Sequence, residues 1–163
     1  MAESSMGESR YKTKRPDLRF TESEIKLLLT VIKDLEKPLE LMYYFLEKDT
    51  RKSFVLILIS AKEVDLDVLL KGEKRDTDIL FSVDREESLF ALICQETKVD
   101  GAYRFAQRIL SMLLQEGAKE IYCTEIEVST TTYDLKDLIM KSVEKYFLAK
   151  KEKRENEIIF YTV

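Results

Sequence analysis

Few residues of this chain can carry acid–base, nucleophilic or metal chemistry. The sequence has no histidine, which excludes Ser-His-Asp and Cys-His triads as well as zinc sites with histidine ligands. Its two cysteines, Cys94 and Cys123, are too few for a Cys₄ site or a disulfide framework. Free thiols without a signal peptide predict a reducing, cytoplasmic location.

Two groups of charged residues remain as candidates. Arg75-Asp76-Thr77-Asp78 places a guanidinium three residues before a carboxylate, and Glu86-Glu87 places two carboxylates side by side. An arginine fork can bind a phosphate or a guanine edge in a bidentate manner. The same spacing also suits a surface ion pair. We interpret Glu86-Glu87 as a polar turn and predict no metal site.

The composition predicts one domain with its own core. The chain has 163 residues, of which 45% are apolar, and a net charge of 27 − 31 = −4. No apolar run approaches the roughly 20 residues that span a bilayer. The basic run Lys150–Arg154 is predicted to be a solvated helix end. We therefore expect that the chain neither binds a nucleic acid nor spans a membrane.

Apolar residues at helical spacing predict the helices that must position these candidates. Thr21 and Glu24 form a capping box at the start of the first helix. Pro38 either begins a second helix or kinks the first. Helices are predicted over 22–36, from Pro38 to about Lys48, over a short segment ending at Gly72, over 98–115 and from Asp134 to about Lys150.

Short apolar runs predict five strands. The almost unbroken run Ser53–Ser60 (SFVLILIS) is typical of a central strand buried on both faces. The polar residues 84–88 between two further runs predict a hairpin turn. Strands are predicted over 53–60, 79–83, 89–94, 121–129 and 157–162.

The order of these elements predicts an α+β fold of the ferredoxin-like type. In that topology an antiparallel sheet buries one face under helices, and one or two N-terminal helices precede it. The strands that carry the two cysteines flank the central strand, so a disulfide is not expected. We divide the chain into a flexible tail over 1–19, a helical segment over 20–49 and the sheet domain over 50–163.

Four segments of the second half resemble a GGDEF domain, the fold of bacterial diguanylate cyclases. They match, in order, the strand after the family's signature hairpin, the helix that follows, the next strand and the next helix. The segments are Phe90–Thr97 (FALICQET), Gly101–Ile109 (GAYRFAQRI), Ile121–Ser129 (IYCTEIEVS) and Ser142–Lys150 (SVEKYFLAK), the last followed by KREN where the family has GRN.

The family's catalytic signature is missing from this resemblance. The motif aligns with 84–88 or 86–90, and neither register contains a glycine. The metal carboxylate expected near Ser60 is also absent, and the link from Ala61 to Asp78 is too short for both family helices. Because phosphoryl transfer depends on a metal and on nucleotide positioning, we expect that the chain is not an enzyme.

The resemblance does imply a ligand site. In active family members an R-x-x-D motif just before the hairpin is the inhibitory site for cyclic di-GMP, and in several degenerate members it has become a receptor site. Arg75 and Asp78 match that motif, and Arg108 falls where the family has a further arginine. On this basis Asp78 accepts hydrogen bonds from a guanine edge, while Arg75 and Arg108 bind phosphate or guanine.

We therefore expect an inactive GGDEF-like domain that is a receptor for cyclic di-GMP and needs no cofactor. An unidentified protein partner or a homodimer formed through residues 22–48 would transmit binding. The alternative is a scaffold or dimerisation module that kept the fold and lost the ligand.

Overall fold

The computed structural model describes residues 19–163, so the predicted tail lies outside the described residues except for Arg19. All five predicted strands and the short helix before the hairpin are confirmed. The elements are α1 (Glu22–Lys48), β1 (Phe54–Lys62), α2 (Leu66–Glu73), β2 (Asp78–Asp84), β3 (Leu89–Cys94), α3 (Val99–Gln115), β4 (Lys119–Val128), α4 (Leu135–Lys151) and β5 (Ile158–Thr162).

The sheet has the strand order β2-β3-β1-β4-β5. The pairs β2–β3, β3–β1 and β1–β4 are antiparallel, which confirms the ferredoxin-like order. Strand β5 instead pairs with β4 in parallel, so the sheet is mixed and the prediction of an antiparallel sheet was incomplete. The reason is that α4 forms a crossover between β4 and β5, which returns the chain in the same direction.

Helices cover both faces of this sheet, not only the one that was predicted. The central strand β1 is buried along Phe54–Ala61, and its side chains alternate between two cores. Leu56 and Leu58 belong to the core under α1 and α4, whereas Ile57 and Ile59 belong to the core under α2 and α3. A strand with apolar side chains on both faces requires cover on both.

The N-terminal segment is a single helix, because α1 continues through Pro38. The predicted capping box is present: Thr21 Oγ1 accepts from Glu24 N over 3.1 Å, and Glu24 Oε1 accepts from Thr21 N over 2.8 Å. One face of α1 shares the core of the sheet through residues such as Leu35 and Leu39. The opposite face exposes Ile25, Leu29, Leu41, Tyr44 and Phe45.

The two cysteines are free and buried, as expected from their positions on β3 and β4 with β1 between them. Among residues 19–163, no helix is long and apolar enough to cross a membrane.

Candidate functional site at the start of strand β2

Arg75 and Asp78 form a compact brace in the turn between α2 and β2. Arg75 donates to Asp78 Oδ1 from Nε over 3.0 Å and from Nη2 over 2.7 Å, and its backbone N–H donates to Oδ2 over 2.8 Å. The Asp78 side chain is only 2% exposed, whereas that of Arg75 is 52% exposed. These hydrogen bonds raise the pKa of Arg75 further above its usual value, so the guanidinium stays charged.

The same guanidinium also holds the loop between β3 and α3. Arg75 Nη2 donates to the Gln95 carbonyl over 2.9 Å and to Thr97 Oγ1 over 2.6 Å. Gln95 Nε2 donates back to the Thr77 carbonyl over 2.8 Å. Arg75 Nη1 has no hydrogen-bond partner among the described residues. The side chain is therefore fixed by β2 and by the loop after β3, and its Nη1 group is left without a hydrogen bond to them.

Arg108 reaches the same corner of the molecule from α3. Its Nε donates to Glu73 Oε1 over 3.2 Å, and its guanidinium lies over the Phe105 ring at 5.2 Å. Glu73 ends α2 only two residues before Arg75. Within residues 19–163, Arg108 makes no hydrogen bond with Arg75 or Asp78. The sequence-predicted residues thus share one corner, and their role in binding a ligand remains a prediction.

A groove of about 850 Å³ runs along the outer part of β2 beside this corner. Leu80 and Phe90 contribute apolar walls. The charged residues of the lining are the cations Lys71, Lys74 and Arg85 and the carboxylates Asp67, Asp76 and Asp78. Lys74 Nζ is engaged by the Asp78 carbonyl over 2.9 Å. The Arg85 side chain has no partner among the described residues.

Helix α3 is held in place by a residue that the sequence did not reveal. Its N-cap residue, Lys98, provides no side-chain cap. Instead, Glu127 Oε1 on β4 accepts from Val99 N over 2.8 Å. A carboxylate at a helix N-terminus satisfies an orphan donor and complements the helix dipole. The alternation of Glu125 and Glu127 with apolar residues was the available signal, because it places both carboxylates on one face.

Glu125 lies under α3 without a partner. Its side chain is fully buried, and neither carboxylate oxygen has a hydrogen-bond partner among the described residues. Burial raises its pKa to about 8. Burial also raises the pKa values of the Cys94 and Cys123 thiols, so both stay protonated and unreactive. Glu125 therefore carries a proton in the folded protein at neutral pH.

The hairpin between β2 and β3 lies at the opposite end of these strands, and lysines neutralise it. Lys62 Nζ donates to the Glu86 carbonyl over 2.8 Å and lies 3.9 Å from Glu87 Oε2. Lys150 on α4 forms a close ion pair with Glu87, which lowers the pKa of that carboxyl. Ser88 adopts a left-handed φ of 53° in the turn, a conformation that usually favours glycine.

The residues at the hairpin end do not fit a catalytic divalent cation. Two ammonium groups already lie against the turn, where they would repel a metal ion. At the end of β1, Ser60 Oγ accepts from the buried Tyr146 hydroxyl over 2.7 Å, so an aromatic side chain fills that position. The described residues contain no cluster of three metal-ligating side chains.

Comparison with solved structures places the fold among GGDEF domains. The chain is similar to the active GGEEF domain of a diguanylate cyclase from Vibrio cholerae, with a TM-score of 0.56 and 17% identity over 74% of this chain and 90% of that one. A microbial GGDEF domain studied with cyclic di-GMP gives a TM-score of 0.54 and 12% identity over 84% and 92% of the two chains.

A third similar structure is the diguanylate cyclase SiaD in complex with its activator SiaC from Pseudomonas aeruginosa. Its TM-score is 0.50, with 12% identity over 83% of this chain and 68% of that one. No protein-family model and no curated protein matches the chain. The similarity therefore shows a GGDEF-like fold.

Proposed function

We propose that this chain is a catalytically inactive domain with a GGDEF-like fold that binds cyclic di-GMP at the start of strand β2. The observation that carries the proposal is the fixed position and partial exposure of the Arg75 guanidinium. Its guanidinium is fixed by Asp78, Gln95 and Thr97, is half exposed and keeps Nη1 available. A cation fixed before binding loses little rotamer entropy when an anion arrives.

Arg108 supplies the second contact in this proposal. It stands at the same corner because Glu73 holds its Nε, which leaves the two Nη groups for a ligand. Cyclic di-GMP offers two phosphates and two guanine edges, and each can accept a bidentate arginine fork. The groove beside the corner gives room for the remainder of the ligand, and Arg85 adds an unpaired cation along it.

Asp78 has a different role in this proposal from the one expected on sequence. Its carboxylate is buried, and Arg75 occupies both oxygens. A guanine could reach it only by displacing Arg75 and desolvating a charge. We therefore assign Asp78 to positioning Arg75 in place of direct contact with the guanine.

The same proposal holds that the chain does not make cyclic di-GMP. Its support is the hairpin end, where Lys62 and Lys150 stand in place of a cation site and Tyr146 covers Ser60. Incubation with GTP and Mg²⁺ followed by chromatography is expected to yield no cyclic di-GMP. Formation of that product would overturn the inactive assignment and leave the binding assignment to be judged by titration.

Isothermal titration calorimetry with cyclic di-GMP tests the binding site. Loss of one charge-assisted contact should weaken binding by about 10- to 100-fold, so we expect this effect for Arg108→Ala. The matched control is Arg104→Ala, an exposed arginine one turn earlier on α3, which should bind like the wild type. Arg75→Lys should also weaken binding, because an ammonium cannot reproduce the fork.

Absence of heat with the intact protein would overturn the receptor proposal. Equal weakening by Arg104→Ala and Arg108→Ala would show a diffuse charge effect and would overturn the assigned site. The melting temperature of each variant is also measured, so that affinities are compared only between folded proteins.

A scaffold module is the second candidate, and the buried Asp78 is the observation that favours it. Four hydrogen bonds, three of them from Arg75, already join the turn after α2, strand β2 and the loop after β3, so the motif is sufficient as an internal brace. In that case calorimetry detects no ligand, whereas Arg75→Ala still lowers the melting temperature.

A further inference from the structure

Strand β5 forms one edge of the sheet, and within residues 19–163 no strand lies on its outer side. The Val163 N–H donates to the Glu127 carbonyl over 3.0 Å, and the Val163 carbonyl accepts from the Ser129 N–H over 3.3 Å. Backbone groups of a strand alternate between its two sides, so every second residue back from Val163 also faces β4. The remaining residues direct their N–H and C=O groups to the outer edge: Ile158, Phe160 and Thr162.

The opposite edge of the sheet, strand β2, is protected in ways that β5 is not. Lys74 Nζ donates to the Asp78 carbonyl over 2.9 Å, and the pairing of β2 with β3 is irregular between Ser82 and Asp84. Lysines and bulges at strand edges are the usual means by which proteins prevent edge pairing. Strand β5 has neither, because its register with β4 is regular over all five positions and Ile158–Thr162 contains no charged residue.

Aromatic surface lies beside this open edge. Phe160 is 50% exposed although it stands in the middle of β5. Its ring meets the ring of the half-buried Tyr103 on α3 edge-on, with 5.5 Å between the two centroids. An uncharged strand of β-branched and aromatic residues with unpaired backbone groups is a template for a further strand.

We propose that β5 pairs with β5 of a second copy of this chain, antiparallel, about a two-fold axis that passes through the facing Phe160 residues. Ile158 then faces Thr162 of the second copy, and Ile159 faces its Tyr161. In this register every outward N–H meets an outward carbonyl of the other copy, and the two five-stranded sheets become one. Each facing pair consists of β-branched or aromatic residues, which stabilise antiparallel pairing.

A second copy fits this edge better than an unfolded segment of another protein does. Its β5 is already extended and held by β4, so pairing requires no ordering of a flexible peptide. The strand is uncharged, so no like charges meet across the axis. Pairing also uses the one unprotected edge that each chain has within residues 19–163, so the two-fold contact closes as a dimer and does not continue into a fibre.

The backbone also selects the register. A shift of the axis by one residue in either direction leaves one of the three outward residues without a partner in the facing strand. The axis through Phe160 is therefore the register that satisfies all of them.

Analytical ultracentrifugation of the full chain without nucleotide, over a dilution series, tests association, and we expect a reversible equilibrium between monomer and dimer. Amide hydrogen exchange followed by NMR then identifies the surface. The Phe160 and Thr162 amides should exchange at least about tenfold more slowly in the dimer than in the monomer. The Ile159 and Tyr161 amides face β4 and should change less. A chain that stays monomeric at every concentration, or a dimer without added protection at Phe160, would overturn the proposal.

Two substitutions should break the pairing and leave the core intact. Thr162→Pro removes an outward N–H, and proline is tolerated where the N–H of an edge strand faces solvent. Phe160→Lys places two ammonium groups face to face at the axis. Each variant should raise the dimer dissociation constant at least about tenfold, and its melting temperature shows that it is folded.

The matched control is Tyr44→Lys, which changes an aromatic residue of similar exposure, 52%, on α1. This variant should dimerise like the wild type. Loss of the dimer in Tyr44→Lys but not in Phe160→Lys would place the contact on α1 and would overturn the proposal.

Oxidative cross-linking tests the register. Facing residues at the axis have Cα atoms about 5.5 Å apart, which a disulfide can span, so Phe160→Cys should cross-link to itself. Thr162→Cys should not, because Thr162 faces Ile158 of the second copy. The native cysteines do not compete, since both are buried. Efficient cross-linking of Thr162→Cys but not of Phe160→Cys would overturn the register. All these measurements are made without nucleotide, so their failure is distinct from failure of nucleotide binding.

Discussion

The two ends of strand β2 use charge in opposite ways. At its start, a buried carboxylate fixes one arginine and leaves part of that arginine exposed to solvent. At the hairpin end, two lysines neutralise a partly exposed glutamate. The first arrangement leaves a positive charge exposed to solvent, and the second neutralises a negative charge. This difference underlies our proposal that the motif before the hairpin binds an anion and that the hairpin itself holds neither a metal nor a triphosphate.

Burial separates the two ends as well. The Asp78 side chain is 2% exposed and that of Glu87 is 38% exposed. An ion pair with one buried member is costly to break, whereas a pair open to water contributes little. Helices on different faces of the sheet also lie beside the two ends. Helix α3 lies beside the Arg75 end, and α4 carries Lys150 at the hairpin end.

The largest effect is expected from charging Glu125, which lies under α3. Its folded pKa of about 8 is above the ordinary value of 4.5, so the folded protein retains a proton that the unfolded chain releases. The free energy of unfolding should therefore fall as pH rises between these values, by up to about 1.4 kcal/mol per pH unit. Above that window the curve should level off.

Glu125→Gln should remove this pH dependence, and urea unfolding from pH 5 to pH 9 measures it. Hydrogen exchange at pH 9 should show α3 and the Arg75 end opening before α4 and the hairpin end in the wild type. A wild-type curve parallel to that of Glu125→Gln, or equal opening of both ends, would contradict the expected difference.

A smaller effect is expected from Arg75→Ala. The substitution leaves the buried Asp78 carboxylate without its guanidinium, which should lower the free energy of unfolding by about 2–3 kcal/mol. Arg51→Ala is the matched control, because Arg51 pairs with Asp49 at the protein surface and its side chain is 89% exposed. Urea titrations that show equal losses for both variants would mean that burial of Asp78 does not strengthen the brace.

The smallest effect is expected at the hairpin end. Lys150→Met removes the main partner of Glu87, and both side chains are more than one-third exposed, so the loss should be about 1 kcal/mol or less. Because the pair lowers the pKa of Glu87, its contribution is present above pH 4.5 and is lost as pH falls through the lowered pKa. Carboxyl titration by NMR should show the pKa of Glu87 rising in the variant; an unchanged value would contradict this.

Much of the fold was predictable from local patterns. The apolar run of β1 and the capping box at Thr21 each have a direct physical signal in a few neighbouring residues, and the structure confirms both. The unbroken apolar run of β1 predicted burial on both faces of the strand, but not which helices cover each face. That assignment depends on which side chains of β1 face which core.

The candidate site was predictable only in part. The sequence indicated Arg75, Asp78 and Arg108, and the structure places them at one corner. The partners that orient them were not predictable from spacing, since Glu73, Gln95 and Thr97 become neighbours only through the sheet order. The burial of Asp78 is likewise a tertiary property, and it changes the role that we propose for that residue.

The carboxylate of Glu127 at the first turn of α3 has a consequence for the order of folding. Residues 99–115 leave the ribosome before residues 119–128, so the nascent helix at first lacks the group that satisfies its initial amide. That amide is satisfied only after β4 has annealed beside β1. The beginning of α3 should thus become protected only after β4 has paired with β1, later than the rest of that helix.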